Sequence, residues 1–260
     1  MLPVERLNRI KKIISDKKQI DVLTLSQELN VTEATIRRDL EKLENENFLK
    51  RTHGGAVLND ASIAVSNLFD INEKDDSSYK VISKIASKFV NNNEVIFLGP
   101  GITSRYIVRA FDDKINLMVV TTDLLVASDC AQFCPQVKIF LPGGELNSSN
   151  LQLSGRITDT SLKSFYFDSA FFDIDGITLE RGYSASSLVK AYIIQDVVTI
   201  SKQNFAVCTH NNFDTESAAI VGNINMFDNI ISNEYAPQKF KEYYFMNNKR
   251  FFATFDAFRS

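Results

Sequence analysis

From Tyr79 onward the chain alternates short apolar runs with helical stripes, and that alternation leaves few folds open. Val95 to Leu98 (VIFL) and Leu117 to Val120 (LMVV) are apolar at every position. A strand with no polar face is one buried on both sides, the habit of parallel sheets. Val137 to Leu141, Phe167 to Phe172, Phe205 to Cys208 and Ile230-Ile231 read as further strands. Between them lie helical stripes such as Val81, Ile82, Ile85, Ala86 and Phe89. Strands alternating with helices predict an α/β domain, a mainly parallel sheet with helices on both faces. An apolar content of 44% with 20 Phe is enough for such a core. No stretch is of low complexity, and no short repeat is visible.

In an open α/β sheet, ligands bind beyond the C-terminal ends of the strands. Three loops fall there: Gly99 to Arg105, Thr121-Thr122-Asp123 and Pro142-Gly143-Gly144. The first runs strand, glycine turn, hydroxyls, helix start, which suits a phosphate held by backbone N–H groups. It has neither the GxxxxGK[ST] spacing of a P-loop nor the GxGxxG fingerprint, so neither a nucleoside triphosphate nor a nicotinamide cofactor is expected. A plain connecting turn accounts for the same glycines, and both readings stay open. Asp168, Asp173 and Asp175 lie near strand ends and could act as bases, with no lysine expected beside them.

Residues 1–58 are organised differently. Pro3 can open a helix with the stripe Leu7, Ile10, Ile13 and Ile14. Val22-Leu23 reads as a brief strand, and Thr24 to Gln27 as a capping box opening a second helix. After Asn30-Val31, room for a tight turn, Thr32 is a good N-cap for a third helix. There Ile36, Leu40 and Leu43 form one apolar face and leave Arg37 and Arg38 outside it. Two short helices so joined form a helix-turn-helix with a recognition helix. Phe48 to Thr52 and Ala56 to Leu58 then read as a hairpin around His53-Gly54-Gly55, a wing carrying Arg51 and His53. The candidate double-stranded DNA contacts are Thr32, Thr35, Arg37, Arg38, Arg51 and His53. Residues 59–78 are polar and aperiodic, a linker between a DNA-reading domain (1–58) and a second domain (79–260).

Charge agrees with that division. Residues 1–58 hold 11 of the 29 Lys+Arg and 9 of the 32 Asp+Glu, leaving 18 against 23 in the remainder. A mildly basic head on an acidic body suits specific rather than bulk nucleic-acid binding. Cys130, Cys134 and Cys208 are too few for a disulfide framework. Only two histidines are present, so Cys130 and Cys134, at i and i+4, read as reduced structural thiols and not zinc ligands. No signal peptide and no membrane-length apolar run is visible, and a cytoplasmic protein with no membrane partner is expected.

The run Thr32-x-x-Thr35-Ile36-Arg37-Arg38-Asp39-Leu40, with Arg6 and Ile10 before it and Arg51-Thr52-His53-Gly54-Gly55-Ala56 after it, resembles the signature of DeoR-type bacterial transcriptional regulators. The resemblance extends more loosely through most of the remaining chain. It implies a winged helix-turn-helix followed by a domain similar to sugar-phosphate isomerases, deaminases and CoA transferases that senses phosphorylated sugars. The family's Gly-Thr-Thr loop falls on Gly101-Ile102-Thr103 and its Thr-Asn pair on Thr121-Thr122. Its Gly-Gly falls on Gly143-Gly144, its Asp-Gly-Ile on Asp175-Gly176-Ile177, and its Val-Lys on Val189-Lys190. The implied effector residues are therefore Gly99, Gly101, Ile102, Thr103, Ser104, Arg105, Thr121, Thr122, Gly143, Gly144, Asp175 and Lys190. Three positions depart from the pattern. Ile102 replaces a hydroxyl, Thr122 an asparagine, and Asn212 stands near where the family carries a lysine. Losing that cation removes a charge-assisted contact of roughly 1.5–3 kcal/mol, which Arg105 or His210 could replace.

The resemblance implies a repressor of carbohydrate-metabolism genes, working as a homodimer or homotetramer on a DNA operator and controlled by a phosphorylated sugar. Two other readings stay open: an isomerase or deaminase-type enzyme, and a DNA-binding protein that has lost its effector site.

Overall fold

Ile10 and Ile14 lie one helical turn apart on the first helix, and both are wholly buried. They anchor the N-terminal part of the computed structural model, which describes residues 3–46, 48–58, 76–111 and 114–253. The chain divides into two compact units, Met1–Ile71 and Asn72–Ser260.

In the first unit the order is α1 (Pro3–Lys17), β1 (Gln19–Asp21), α2 (Val22–Leu29), α3 (Glu33–Asn45), β2 (Leu49–Arg51) and β3 (Gly55–Leu58). Ile10, Ile14, Leu25, Ile36, Leu40, Leu43 and Leu49 close one core. Asn30 adopts the left-handed conformation (φ 52°, ψ 51°) that turns α2 sharply into α3, a conformation asparagine tolerates better than most residues. β2 and β3 form the expected hairpin, with Arg51 opposite Ala56. β1 adds a third antiparallel strand against β3.

Two local expectations fail here. Val22 and Leu23 are helical, not a strand, and the strand lies just before them. Thr24 does not cap α2, because Asp21 does: its carboxylate accepts from the Thr24 N–H and from the Thr24 hydroxyl, each at 2.7 Å. A carboxylate is the stronger acceptor for a free helix-start N–H, and those two hydrogen bonds hold the Asp21 carboxyl below its usual range.

The second unit begins with α4 (Asp76–Ala86), so the last three residues of the expected linker are already helical. The rest of that segment, 59–75, lies outside the described residues. β4 (Val95–Leu98), α5 (Ile102–Val108), β5 (Met118–Val120), α6 (Leu124–Phe133) and β6 (Lys138–Phe140) follow. A hairpin of β7 (Glu145–Asn147) and β8 (Gln152–Ser154) then leads to α7 (Arg156–Leu162) and β9 (Phe167–Asp173). The chain continues through β10 (Gly176–Thr178), β11 (Gly182–Ala185), α8 (Leu188–Val198) and β12 (Ser201–Val207). It ends with β13 (Ala219–Gly222), β14 (Asn229–Ile231), α9 (Gln238–Met246) and β15 (Arg250–Phe252).

Seven strands form one sheet in the order β15-β14-β12-β9-β4-β5-β6. Every pairing in it is parallel. Successive residues of β9 point to opposite faces. Ala170 and Phe172 join a core with α8 and α9 residues such as Ile194 and Phe240. Phe171 joins a core with Ile85 of α4, Ile107 of α5 and Val126 of α6. This two-sided burial is what the unbroken apolar runs predicted. The small antiparallel sheet β10-β11-β13 and the β7–β8 hairpin are additions that the alternation did not announce.

All three cysteines are buried thiols, and burial pushes Cys130 up to about 12. Among the described residues no cluster of ligands for a metal ion is formed, and no helix is long and apolar enough to cross a membrane.

Arg6 of α1 donates to Asp39 of α3 at 2.5 and 3.2 Å, with only 12% and 3% of the two side chains exposed. Removing Arg6 leaves the buried Asp39 carboxylate without its cation, at a cost of about 1–3 kcal/mol. Arg6→Ala should therefore lower the urea midpoint for unfolding the N-terminal unit, while Lys11→Ala, which breaks an exposed pair with Glu46, should change it by under about 1 kcal/mol.

Candidate functional site

The first site is the outer face of α3. Ile36, Asp39, Leu40 and Leu43 turn inward, so Arg37 and Arg38 are directed to solvent. Arg37 meets Glu33 one turn earlier at 3.0 Å, with both side chains largely exposed. Such a pair is worth only a few tenths of a kcal/mol and exchanges readily for a phosphate. Thr32 caps the helix as expected, accepting from the Thr35 N–H, and the Thr32 and Thr35 hydroxyls lie 3.0 Å apart. Both threonines thus shape the helix start. Arg51 is exposed, and its backbone N–H and its Nε both donate to Glu44 of α3, at 2.9 and 2.8 Å. The contact fastens the wing to the recognition helix. His53 stands exposed at the tip of the wing.

The second site lies where the sheet order reverses. From β4 the chain moves outward through β5 to β6, then returns to place β9 on the other side of β4. Loops at the C-terminal ends of β4 and β9 therefore face one crevice. Gly101 has φ +148°, and a Cβ on it would come 2.1 Å from Asp173 Oδ2. The Thr103 N–H donates to that same oxygen at 2.8 Å. The Gly101 N–H donates to Asp123 Oδ2 at 3.2 Å, and Asp123 Oδ1 caps α6 by accepting from Leu125 N–H at 2.8 Å. Ser104 and Thr122 each bury a hydroxyl that has no hydrogen-bond partner. Gly99 lies against the same strand, its N–H donating to the Phe171 carbonyl at 2.9 Å. Ile102 opens α5, and Thr121 accepts from the Asp123 N–H.

Beside this cradle, Lys190 Nζ donates to Asp175 Oδ1 at 2.8 Å, and the Ser186 N–H donates to Asp175 Oδ2 at 2.6 Å. A lysine does stand beside a strand-end carboxylate, contrary to the sequence expectation; α8 returns it across the sheet from fifteen residues away. Asp168 belongs elsewhere: it sits at the opposite end of β9, accepting from Lys202 Nζ at 2.6 Å and Val95 N–H at 3.0 Å. Arg105 does not offer an open charge to the cradle, being buried against Asp129 at 2.7 Å. His210 is held by Asn233, which accepts from its N–H and lies 2.9 Å from its Nδ1. Asn212, at the missing lysine, caps its own turn from Thr209 and donates to the Asp175 carbonyl. Gly143 and Gly144, both at positive φ, sit below the β7–β8 hairpin, where Thr158 donates to the Gly143 carbonyl at 2.6 Å.

Two roles were not read from the sequence: Asp123, placed in its loop but not as a helix cap or a partner of Gly101, and Asp173 as a partner of the glycine loop. Asp123 directly precedes a helical stripe, the ordinary place for an N-cap, and could have been found. The hairpin was also missed, although its Leu153 N–H donates to the Thr122 carbonyl at 2.7 Å.

Burial raises the Asp123 carboxyl above its usual range. It pushes Asp173 up to about 6, with Asp175 adding to the shift and Lys190 and Thr103 opposing it. Between roughly pH 4 and 6 the folded chain therefore holds a proton at Asp173 that the unfolded chain has released. Stability from this group is greatest below pH 4 and is lost as the pH rises through 6. Relative to Asp173→Asn, wild type should lose on the order of 2 kcal/mol between pH 4.5 and 7.5 in thermal melts. Gly101→Ala should cost about 2–3 kcal/mol, because it forces a side chain into a strained conformation against Asp173. A fall in Tm of about 5–10 °C is expected.

Two family descriptions match the chain: the DeoR-like helix-turn-helix domain over residues 6–62 and the DeoR C terminal sensor domain over residues 76–234. The transcriptional regulator GolR of Listeria innocua is 26% identical over 233 residues, covering 90% of this chain and 91% of that protein. The lactose phosphotransferase system repressor of Streptococcus mutans is 29% identical over 222 residues, covering 77% and 85%. Among solved structures, ribose 5-phosphate isomerase A of Methanocaldococcus jannaschii is similar with a TM-score of 0.40 and 14% identity, covering 54% of this chain and 55% of that one.

Proposed function

This chain belongs to the DeoR family of helix-turn-helix transcriptional regulators, and from that premise we propose that it represses carbohydrate-metabolism genes under the control of a phosphorylated sugar. The observation that carries the DNA-binding half is the pair Arg37 and Arg38. They are exposed on a capped helix whose other face is locked into a core and pinned by Arg6. In this reading the two arginines reach base edges and phosphates in the major groove, and His53 meets the backbone beside the wing. Thr32 and Thr35 present the helix start, and Arg51 positions the wing through Glu44. A homodimer or homotetramer would place two such helices on symmetric half-sites.

The effector would occupy the strand-end cradle, touching Gly99 to Ser104, Thr121, Thr122, Asp175 and Lys190. Gly143 and Gly144 shape the hairpin above the Thr122 loop, and Arg105 braces α5. Control requires only that the ligand bind the DNA-competent and DNA-incompetent arrangements with different affinity. The names of the relatives, a lactose phosphotransferase system repressor among them, support the sugar connection.

A second reading, catalysis on a sugar phosphate, draws on the Asp175–Lys190 pair and the raised Asp173. It predicts turnover of a pentose or hexose phosphate that Asp175→Asn abolishes. The absence of turnover across such a panel leaves the regulator alone.

Fluorescence anisotropy on the DNA upstream of the protein's own gene tests the regulator directly. Wild type should bind that fragment in preference to scrambled DNA. Arg37→Ala/Arg38→Ala should weaken binding by tenfold or more and reduce the slope of log affinity against log salt by about 2. Equal binding by wild type and double variant would overturn the assignment of the interface.

A further inference from the structure

We infer that the Asp173 carboxylate is a built-in competitor for the anionic group of the effector, and that it lowers the affinity of the cradle for that group. This rests on the effector reading above and goes beyond it by naming a residue outside the expected ligand set. The Gly101–Thr103 loop already wraps an anion. Asp173 Oδ2 takes the Thr103 N–H at 2.8 Å and sits so close to Gly101 that no Cβ fits there. The Thr103 hydroxyl is also turned to Asp173. A second carboxylate, Asp123, takes the Gly101 N–H. Two N–H donors of the loop are thus engaged by carboxylates, one that caps α6 after β5 and one that ends β9.

The surrounding cations offset them only in part: Lys190 acts against the rise at Asp173 and Arg105 against that at Asp123, yet both carboxyls stay above their usual range. Asp175, from the segment after β9, and Lys190, from α8, are paired with each other. Arg105 of α5 and Arg109 just after it share Asp129 of α6. Cys208, at the end of β12, is held in its neutral thiol form by burial and by Asp173 itself. Among the described residues neither Asp173 nor Asp123 forms an ion pair with a cation. An approaching dianion therefore meets carboxylate charge at the loop's own donors. For an anion to bind, Asp173 must take up a proton or leave the loop.

The test measures binding to the full-length protein by calorimetry, comparing wild type with Asp173→Asn, which keeps the shape and removes the charge. The probes are inorganic sulfate, which does not titrate in the range used, and a panel of pentose and hexose phosphates. At pH 7.5 the variant should bind sulfate and at least one sugar phosphate tenfold or more tighter than wild type. Wild-type affinity for sulfate should rise several-fold between pH 7.5 and 5.5, with a smaller change in the variant. Should Asp173→Asn fail to fold, Asp173→Ser serves with the same expectations. Equal or weaker anion binding by a folded variant overturns the competitor and leaves the phosphorylated effector standing. Binding of none of these probes by either protein at either pH overturns both.

Discussion

The burial of β4, β9 and β12 on both faces is the constraint from which the rest of the C-terminal unit follows. Strands without a polar face must be covered twice, and parallel neighbours must be joined by crossovers that supply the cover. α4, α5 and α6 close one side, and α8 and α9 the other. Because β9 returns beside β4 after two strands have been laid on the far side, the loops after β4, β5 and β9 open at one end. The crevice is thus a consequence of packing order, and it exists before any ligand chemistry is considered.

What fills that end is a set of polar groups that largely satisfy one another. Asp123 joins the glycine loop to α6, Asp173 joins it to β9, Asn212 joins the β12 loop to Asp175, and Lys190 closes on Asp175 from the far helix. Each link fixes a loop that would otherwise be mobile, and the lower local dielectric strengthens each. Burial still raises Asp123 and Asp173, because Arg105 and Lys190 oppose the rise without reversing it. A cradle whose donors are taken by its own carboxylates is acidic, a different object from the open nest of N–H groups that the loop sequence suggests.

The sheet was legible in the sequence because two-sided burial writes itself as unbroken apolar runs. The recognition helix was legible because its cap, turn and apolar face lie within about a dozen neighbouring residues. Misreadings came where two local signals competed or where the partner was remote. Thr24 and Asp21 both offer a cap, and only the relative strength of a carboxylate and a hydroxyl decides between them. Asp168 and Asp173 lie on one strand and look alike in sequence. Strand direction alone sends one to Lys202 and the other to the glycine loop. Lys190, Arg105 and Asn212 were each noticed for charge or its loss, but their partners stand 15, 24 and 37 residues away. No spacing rule reaches that far.

The two sites use charge in opposite ways, and the contrast bears on how they were shaped. In the N-terminal unit the buried ion pair Arg6–Asp39 and the wing contact Arg51–Glu44 hold the recognition helix with charges that point inward or sideways. Arg37 and Arg38 keep at most weak local pairing and stay available to phosphates. Binding an external polyanion is favoured there because the one acid shown beside these arginines, Glu33, is exposed and holds Arg37 only weakly. In the cradle the protein's own acids occupy the donors, and its cations are the groups engaged elsewhere. An external anion is resisted at the position where the fold alone would welcome one. The selectivity of such a site lies less in the loop that resembles a phosphate cradle than in the carboxylate that β9 delivers into it.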